Sequence, residues 1–306
     1  MAKFINLDSQ DTIFFQRELE HLKAKTYDII KAPLKAFELI PVSQEAGPGA
    51  EAIVYEQYDH TGLAKVIANY ADDLPRVNVK GKEFVTKIKS IGNSYGYSIQ
   101  EIRAAQLAGK SLSERLAVAA ARAQREEWNR IAFYGDAQHG LNGWINAANV
   151  PAGAVAGTGT AGATTFVSKT PQLIVDDINK LLNSIVDLTN GAEEPNTLVM
   201  PIKQFTQIAS EHFSPGTDTT ILEFLKRVHP TVTFTFANEL KGAFPGSTDG
   251  MIAYRRDPET MTLEMPVMFE QFEPQERGME IIVPCHSRIG GVIVYYPLSQ
   301  ARAYGI

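Results

Sequence analysis

The run SIGNSYGYSIQEIRAAQLAGKSLSERLAVAAARAQREEWNRIAFYG, residues 90–135, holds two helix starts in close succession. Ser98 stands three residues before Glu101, and Ser111 three residues before Glu114. In that spacing the serine hydroxyl accepts from a free N–H of the first turn while the glutamate reaches back to the serine N–H, so each pair opens a helix. Gly109 and Gly135 supply the stops, since glycine ends a helix in the left-handed conformation without a Cβ clash. The second helix runs to Tyr134, about 34 Å at about 1.5 Å per residue. Its middle, LAVAAARA (116–123), is rich in small side chains that admit another layer closely, and a central packed helix is expected.

Upstream, two β-like runs at 64–70 and 83–91 flank ADDLPRVNVKGK. In the second, Phe84, Thr86, Ile88 and Ser90 alternate with Val85, Lys87 and Lys89, the pattern of a half-buried strand. The pair reads as a long hairpin or flap. Two strands alone are marginal in water, so such a flap needs a further surface to pack on. Before it, residues 1–50 read as an arm: Ile13, Leu19, Leu22 and Ile29 fall at helical spacing over 12–30, and Pro33, Pro41, Gly47, Pro48 and Gly49 then interrupt regular structure.

Downstream, the Gly/Ala/Thr-rich stretch 151–165 reads as a flexible loop or connection. An α+β segment follows. Thr170 and Pro171 open a helix whose buried stripe is Ile174, Ile178, Leu181, Ile185 and Leu188, ending at Asn190-Gly191. Strands are expected at 197–200, 231–236 and 250–254, helices at 201–210 and 219–228, and a mostly β tail over 262–296.

Composition narrows the function. With 306 residues, 44% hydrophobic and 21% charged, the chain can bury a full core, which excludes a disordered or disulfide-scaffold protein. Basic residues number 29 against 35 acidic, a net charge of −6, which argues against tight DNA binding through bulk charge. The single cysteine, Cys285, cannot form an internal disulfide or a cysteine zinc cluster, so a reducing compartment is expected. MAKFINLDSQD, with Asp8 and Asp11, lacks the apolar core of a secretory signal, and no run of about 18 apolar residues is present to span a membrane. A soluble product made in a cytoplasm is expected.

The motif search leaves no catalytic, cofactor or metal site. Gly157, Gly159 and Gly162 satisfy G-x-G-x-x-G, but neither a strand before nor a helix after them is expected, as a dinucleotide loop requires. Gly109-Lys110-Ser111 resembles the end of a phosphate loop, yet Ala104 stands where its first glycine belongs. Cys285 and His286 are neighbours on a strand and point to opposite faces. No histidines stand in H-x-x-x-H spacing, and the acidic pairs Asp72-Asp73, Glu126-Glu127, Asp176-Asp177 and Glu193-Glu194 read as solvated or capping residues. The densest basic cluster, Lys80, Lys82, Lys87 and Lys89 with Asp72, Asp73 and Arg76 nearby, lies on the flap. It reads either as charge that guards a strand edge or as an element that pairs with an adjacent subunit.

Three blocks, YADDLPRVNVKGK (70–82), SIGNSYGYSIQEIRAA (90–105) and GDAQHGLNGWIN (135–146), resemble the major capsid proteins of a tailed-phage family long catalogued as a domain of unknown function, a branch of the HK97-like fold. The resemblance implies an α+β shell subunit. Its parts would be an N-terminal arm (1–50), an extended loop or flap (51–96), a peripheral domain with a long spine helix (97–165), an axial domain (166–255) and return strands of the peripheral domain (256–306). Asp72, Asp73, Arg76, Lys80, Lys82, Lys87 and Lys89 would make inter-subunit contacts, with Gly92 and Gly96 as a hinge at the base of the flap.

The implied function is self-assembly through hexamers and pentamers into an icosahedral head that encloses double-stranded DNA, with no cofactor, no membrane and no specific DNA site. The implied location is the virion, after assembly in the host cytoplasm. Scaffolding, portal and decoration proteins are the further partners such a shell implies. Only some 50 residues precede the flap, so a cleaved scaffolding segment of about a hundred residues is not expected. The alternatives are an encapsulin-like compartment shell, which shares the fold, or a soluble enzyme with an unrecognised site.

Overall fold

The computed structural model describes residues 31–62, 76–108, 112–214 and 216–306. The arm helix at 12–30, the strand at 64–70, and Asp72, Asp73, Gly109 and Ser111 lie outside them. Met1–Pro33 and Leu34–Ile306 form separate units, and the second is described here.

The described elements begin with a single helical turn, α1 (Ala36–Leu39), and a short strand, β1 (Val42–Ser43). Three ten-residue strands follow, β2 (Ala52–Thr61), β3 (Asn78–Lys87) and β4 (Lys89–Ser98), then helices α2 (Ile99–Ala108) and α3 (Leu112–Tyr134). A three-residue strand β5 (Ala152–Ala154) precedes α4 (Pro171–Leu188), β6 (Thr197–Met200), α5 (Ile202–Ser210), α6 (Ile221–Val228), β7 (Thr233–Phe236) and β8 (Gly250–Tyr254). The tail is β9 (Met261–Glu264), β10 (Val267–Gln271), β11 (Gln275–Arg277), β12 (Glu280–Ile289), β13 (Gly291–Val294) and β14 (Gln300–Tyr304).

The first capping box forms as the spacing requires. The Ser98 N–H donates to Glu101 Oε2 at 2.8 Å, and the Glu101 N–H donates to Ser98 Oγ at 3.2 Å. Gly135 ends α3 at φ +68°, where a Cβ would lie 2.5 Å from the Leu141 carbonyl oxygen. The long helix is central only in its second half, where Trp128, Ile131, Ala132 and Phe133 are buried; earlier on it Val118 is 65% exposed. That first half rides on the edge of a sheet. Asn93 of β4 donates to the Ala120 carbonyl and accepts from Gln124, both at 2.9 Å, and Trp128 donates to Ser287 of β12 at 2.9 Å.

The sheet beneath α3 places β12 between antiparallel β4 and, on its other edge, β10 and β11. A second sheet has the order β1-β9-β13. The third, β5-β14-β8-β6-β7, is mixed, with β14 antiparallel to β8 and parallel to β5. The last strand of the chain therefore runs beside the 166–255 segment rather than with β9–β13. The glycine-rich 151–165 stretch is correspondingly not a free linker: its start is the edge strand β5, and its turn is closed by Gly159 N–H donating to the Ala163 carbonyl at 2.9 Å.

Two cores meet across β8. Ile252 and Tyr254 pack with Trp128, Phe133, Trp144 and Leu263 in one. Met251 and Ala253 pack with the α4 stripe, Leu198, Ile208 and Leu225 in the other. Of the expected stripe, Ile174, Ile178, Leu181 and Ile185 are buried, whereas Leu188, at the last residue of α4, is 51% exposed. Asp177 is likewise not solvated. It pairs with Lys169 at 2.5 Å, and Lys169 also donates to the Ala156 carbonyl at 2.7 Å, which pins the glycine-rich segment to α4.

Candidate inter-subunit surface

The flap is the antiparallel ribbon β2–β3, which pairs over all ten positions of each strand, from Ala52↔Lys87 to Thr61↔Asn78. The partner of the 83–87 run is thus 52–61. The alternation Ile53, Tyr55, Gln57 against Val54, Glu56, Tyr58 is the signal of that strand, diluted by polar residues on both faces.

One face of the ribbon carries Ile53, Tyr55, Gln57 and Asp59 opposite Thr86, Phe84, Lys82 and Lys80. At its root Tyr55 stacks on Phe84 with centroids 5.1 Å apart and meets Tyr295 edge-on at 5.0 Å, which ties the ribbon to the segment after β13. Further out, Lys82 Nζ lies 4.8 Å from the centre of the Phe84 ring. The other face sets Val54 against Val85, Glu56 against Glu83 and Tyr58 against Gly81. Val54 is 52% and Val85 62% exposed, so this face offers apolar side chains to water. The Tyr58 ring occupies the space a Cβ at Gly81 would fill, 2.9 Å away, and its hydroxyl donates to Glu56. That hydrogen bond, then the Glu56 charge, raise the Tyr58 pKa above the ordinary phenol value.

The basic cluster read from the sequence is divided by this geometry. Lys80 and Lys82 share one face, Lys87 projects from the other, and Lys89 lies on β4 opposite Ile289. Arg76 is exposed just before β3. Gly92 and Gly96 pair with His286 and Ile282 in an unbroken ladder. A Cβ at Gly92 would find ordinary contact, 3.6 Å from the Cys285 carbonyl, while one at Gly96 would lie 3.1 Å from that of Ile281. The exposed valines and Tyr58 carry no signal in the sequence, because they alternate with charged residues as a half-buried strand would.

The candidate chemical motifs resolve as structure. Cys285 is buried, its thiol pKa raised by burial, and His286 turns the other way to bond Glu270 at 2.8 Å. His139 bonds Asp136 at 2.7 Å, which holds that carboxyl below its ordinary range. Gly157 and Gly159 are needed for close approach, since their Cβ atoms would lie 2.6 Å and 2.7 Å from carbonyl oxygens of the same turn. No three His, Cys, Asp or Glu side chains gather as a metal site among the described residues, and none of the described helices is long and apolar enough to cross a membrane.

Comparison with known proteins places this architecture. The chain superposes on the capsid of Myoviridae phage XM1 with a TM-score of 0.83 at 18% identity, covering 96% of this chain and 99% of that one. The capsid of a native GTA particle gives 0.65 at 10% identity over 94% and 96% of the two chains. The virus-like particle from Pyrococcus furiosus gives 0.54 at 12% identity over 89% and 92%. These likenesses establish the HK97-like shell fold. No curated protein matches by sequence. The family model described as major capsid protein matches residues 62–306, which favours a phage coat over a compartment shell. The chain belongs to the major capsid protein family.

Proposed function

We propose that copies of this chain assemble through hexamers and pentamers into the icosahedral head of a tailed phage, enclosing its double-stranded DNA, and that the chain performs no catalysis. The observation that carries this reading is the β2–β3 ribbon. Among the described side chains of its two strands only Thr86 is buried, while Val54, Val79 and Val85 are each at least half exposed. A monomer gains little from such an element; a lattice in which each ribbon lies on a neighbour buries it. Arg76, Lys80, Lys82, Lys87 and Lys89, with Asp72 and Asp73, are the flap residues assigned to these contacts, and Gly92 and Gly96 are the points where its base adapts to six-fold and five-fold settings. In this reading 1–50 is the arm, 97–165 and 256–306 make the peripheral part, and 166–255 the axial part.

Assembly in the host cytoplasm, with scaffolding, portal and decoration proteins as further partners, belongs to the same proposal. The acidic balance supports an inner wall that holds DNA without a specific site. Negative-stain electron microscopy with light scattering on the purified protein tests it. Closed shells or capsomer rings are expected; a protein that stays monomeric even when coexpressed with the scaffold and portal genes of its phage overturns it.

A further inference from the structure

A cleft of about 800 Å³ opens between the root of the ribbon and the body, and its walls carry the carboxylates of Glu45, Glu56 and Glu259 and the rings of Tyr55, Tyr58 and Tyr295. Among the described residues no lysine, arginine or histidine lines it. None of the three glutamates has an ion-pair partner there, and the Glu56 carboxylate accepts from the Tyr58 hydroxyl alone. A further carboxylate lies buried behind this wall. Thr262 and Glu264 project from the same face of β9, and Thr262 lines the cleft. Glu264 is 3% exposed, and its Oε1 accepts from Thr262 Oγ1 at 2.7 Å and from the Tyr295 hydroxyl at 3.4 Å. Its Oε2 accepts no hydrogen bond, and no basic side chain pairs with it, among the described residues. Burial above all, with the Glu264 and Glu45 charges adding to it, raises the Tyr295 pKa above the ordinary phenol value, so both carboxylates bear on one ring of the cleft. A carboxylate withdrawn from water without a counter-charge is strongly unfavourable, and the chain supplies no cation here itself.

The lining decides which cation fits. Among the described residues no three carboxylates close around one point as a metal ion requires. They are spread instead along a cleft that follows β2 from Tyr55 to Tyr58, about 10 Å at about 3.3 Å per residue. Aromatic rings attract ammonium groups through their π faces and cover methylene groups by apolar contact, and a hydrated metal ion uses neither. We infer that the cleft binds an aliphatic polyammonium ion, in which short methylene chains separate the ammonium groups. One ammonium sits against the Thr262 and Tyr295 wall in front of Glu264, the methylenes lie on the tyrosine rings, and the next ammonium reaches the rim carboxylates. Because Glu56 comes from the ribbon and Glu45 and Glu259 from the body, the bound ion bridges the two and fastens the ribbon at its root. The site is complete within one copy of the chain.

Calorimetric titration and thermal unfolding of the purified full chain with spermidine, at fixed ionic strength, test it. Spermidine is expected to bind one to one and to raise the melting temperature. Glu264→Gln should weaken binding at least about tenfold while leaving the spermidine-free chain at least as stable, since it removes the buried charge. Glu56→Gln with Glu259→Gln, confined to the exposed rim, should weaken binding by a similar factor and serves if the buried variant does not fold. Tyr58→Ser, which keeps every carboxylate, should weaken it several-fold, and Glu273→Gln with Glu276→Gln, on the exposed strands beyond β10, should leave it unchanged. Equal binding by the wild type and the cleft variants would reduce the effect to general attraction between a polycation and an acidic chain, and overturns the site. Magnesium chloride that displaces spermidine at equal concentration overturns it as well, in favour of a metal ion, and so does the lack of any measurable spermidine binding.

Discussion

The α4 region and the β2–β3 ribbon are close in length and opposite in how they are held. Helix α4 buries seven of its residues, presses them against a five-stranded sheet and is locked to the preceding loop by a buried ion pair. The ribbon has a full ladder of backbone pairing and almost no core. Each buried aliphatic side chain is worth about 1.5–3 kcal/mol relative to exposure, so the first region sustains itself within one subunit. The second has little of its own to hold it, and in the proposed shell it is stabilised by what lies on it. On that proposal, stability of the subunit and stability of the assembly are written in different parts of the chain.

Three variants sharpen that contrast. Lys169→Met leaves Asp177 charged and unpaired in the interior, and should lower subunit stability by about 3–5 kcal/mol in denaturant unfolding. Replacing both partners, Lys169→Met with Asp177→Leu, should recover most of the loss; if the double variant is as unstable as the single one, the pair holds more than its own charges. Val54→Ser with Val85→Ser should move the free subunit by no more than about 0.5 kcal/mol, since both side chains are already in water. The same variant should assemble poorly, and normal particle yield would show that the apolar face of the ribbon stays uncovered in the shell.

The smallest effect concerns pH. Burial lowers the His229 pKa, and its Nε2 lies 2.8 Å from Asn179 Oδ1 on α4. The unfolded chain then binds the proton more readily than the folded one, so stability is complete above the ordinary histidine range and falls as pH drops through it. Melting temperatures across that range should decline more for the wild type than for His229→Gln. Equal slopes would place the proton uptake on another group.

Local signals make much of the interior legible in the sequence. The runs at 197–200 and 250–254 are short, apolar and bounded by turn residues, and they are β6 and β8. The α4 stripe repeats at helical spacing, and Ser98 with Glu101 marks the start of α2. What remained hidden depends on partners distant in the chain. Strand β2 mixes charged and apolar residues on both faces, because no core selects one of them. Asp177 looks solvated beside Asp176 until Lys169 is brought over it from across a loop. The cleft at the ribbon root joins residues from β2, the segment after β1 and the turns around β9 and β13, and no spacing in the sequence announces it. The fold class and family followed from blocks of residues, whereas the cleft and the exposed ribbon face depend on pairing between strands and leave no periodicity of their own.

The shared strand β8 also bears on how chains of this kind can change length. Its successive residues alternate between two cores, with Met251 and Ala253 on one side and Ile252 and Tyr254 on the other. Inserting or deleting one residue there would exchange the occupants of both cores together, placing Tyr254 where Ala253 fits and leaving a void where the ring had been. The described residues of the ribbon beyond its root are exposed on both faces and have no such parity to keep. Length variation among chains built on this plan should therefore accumulate in the ribbon, while β8 keeps its five residues.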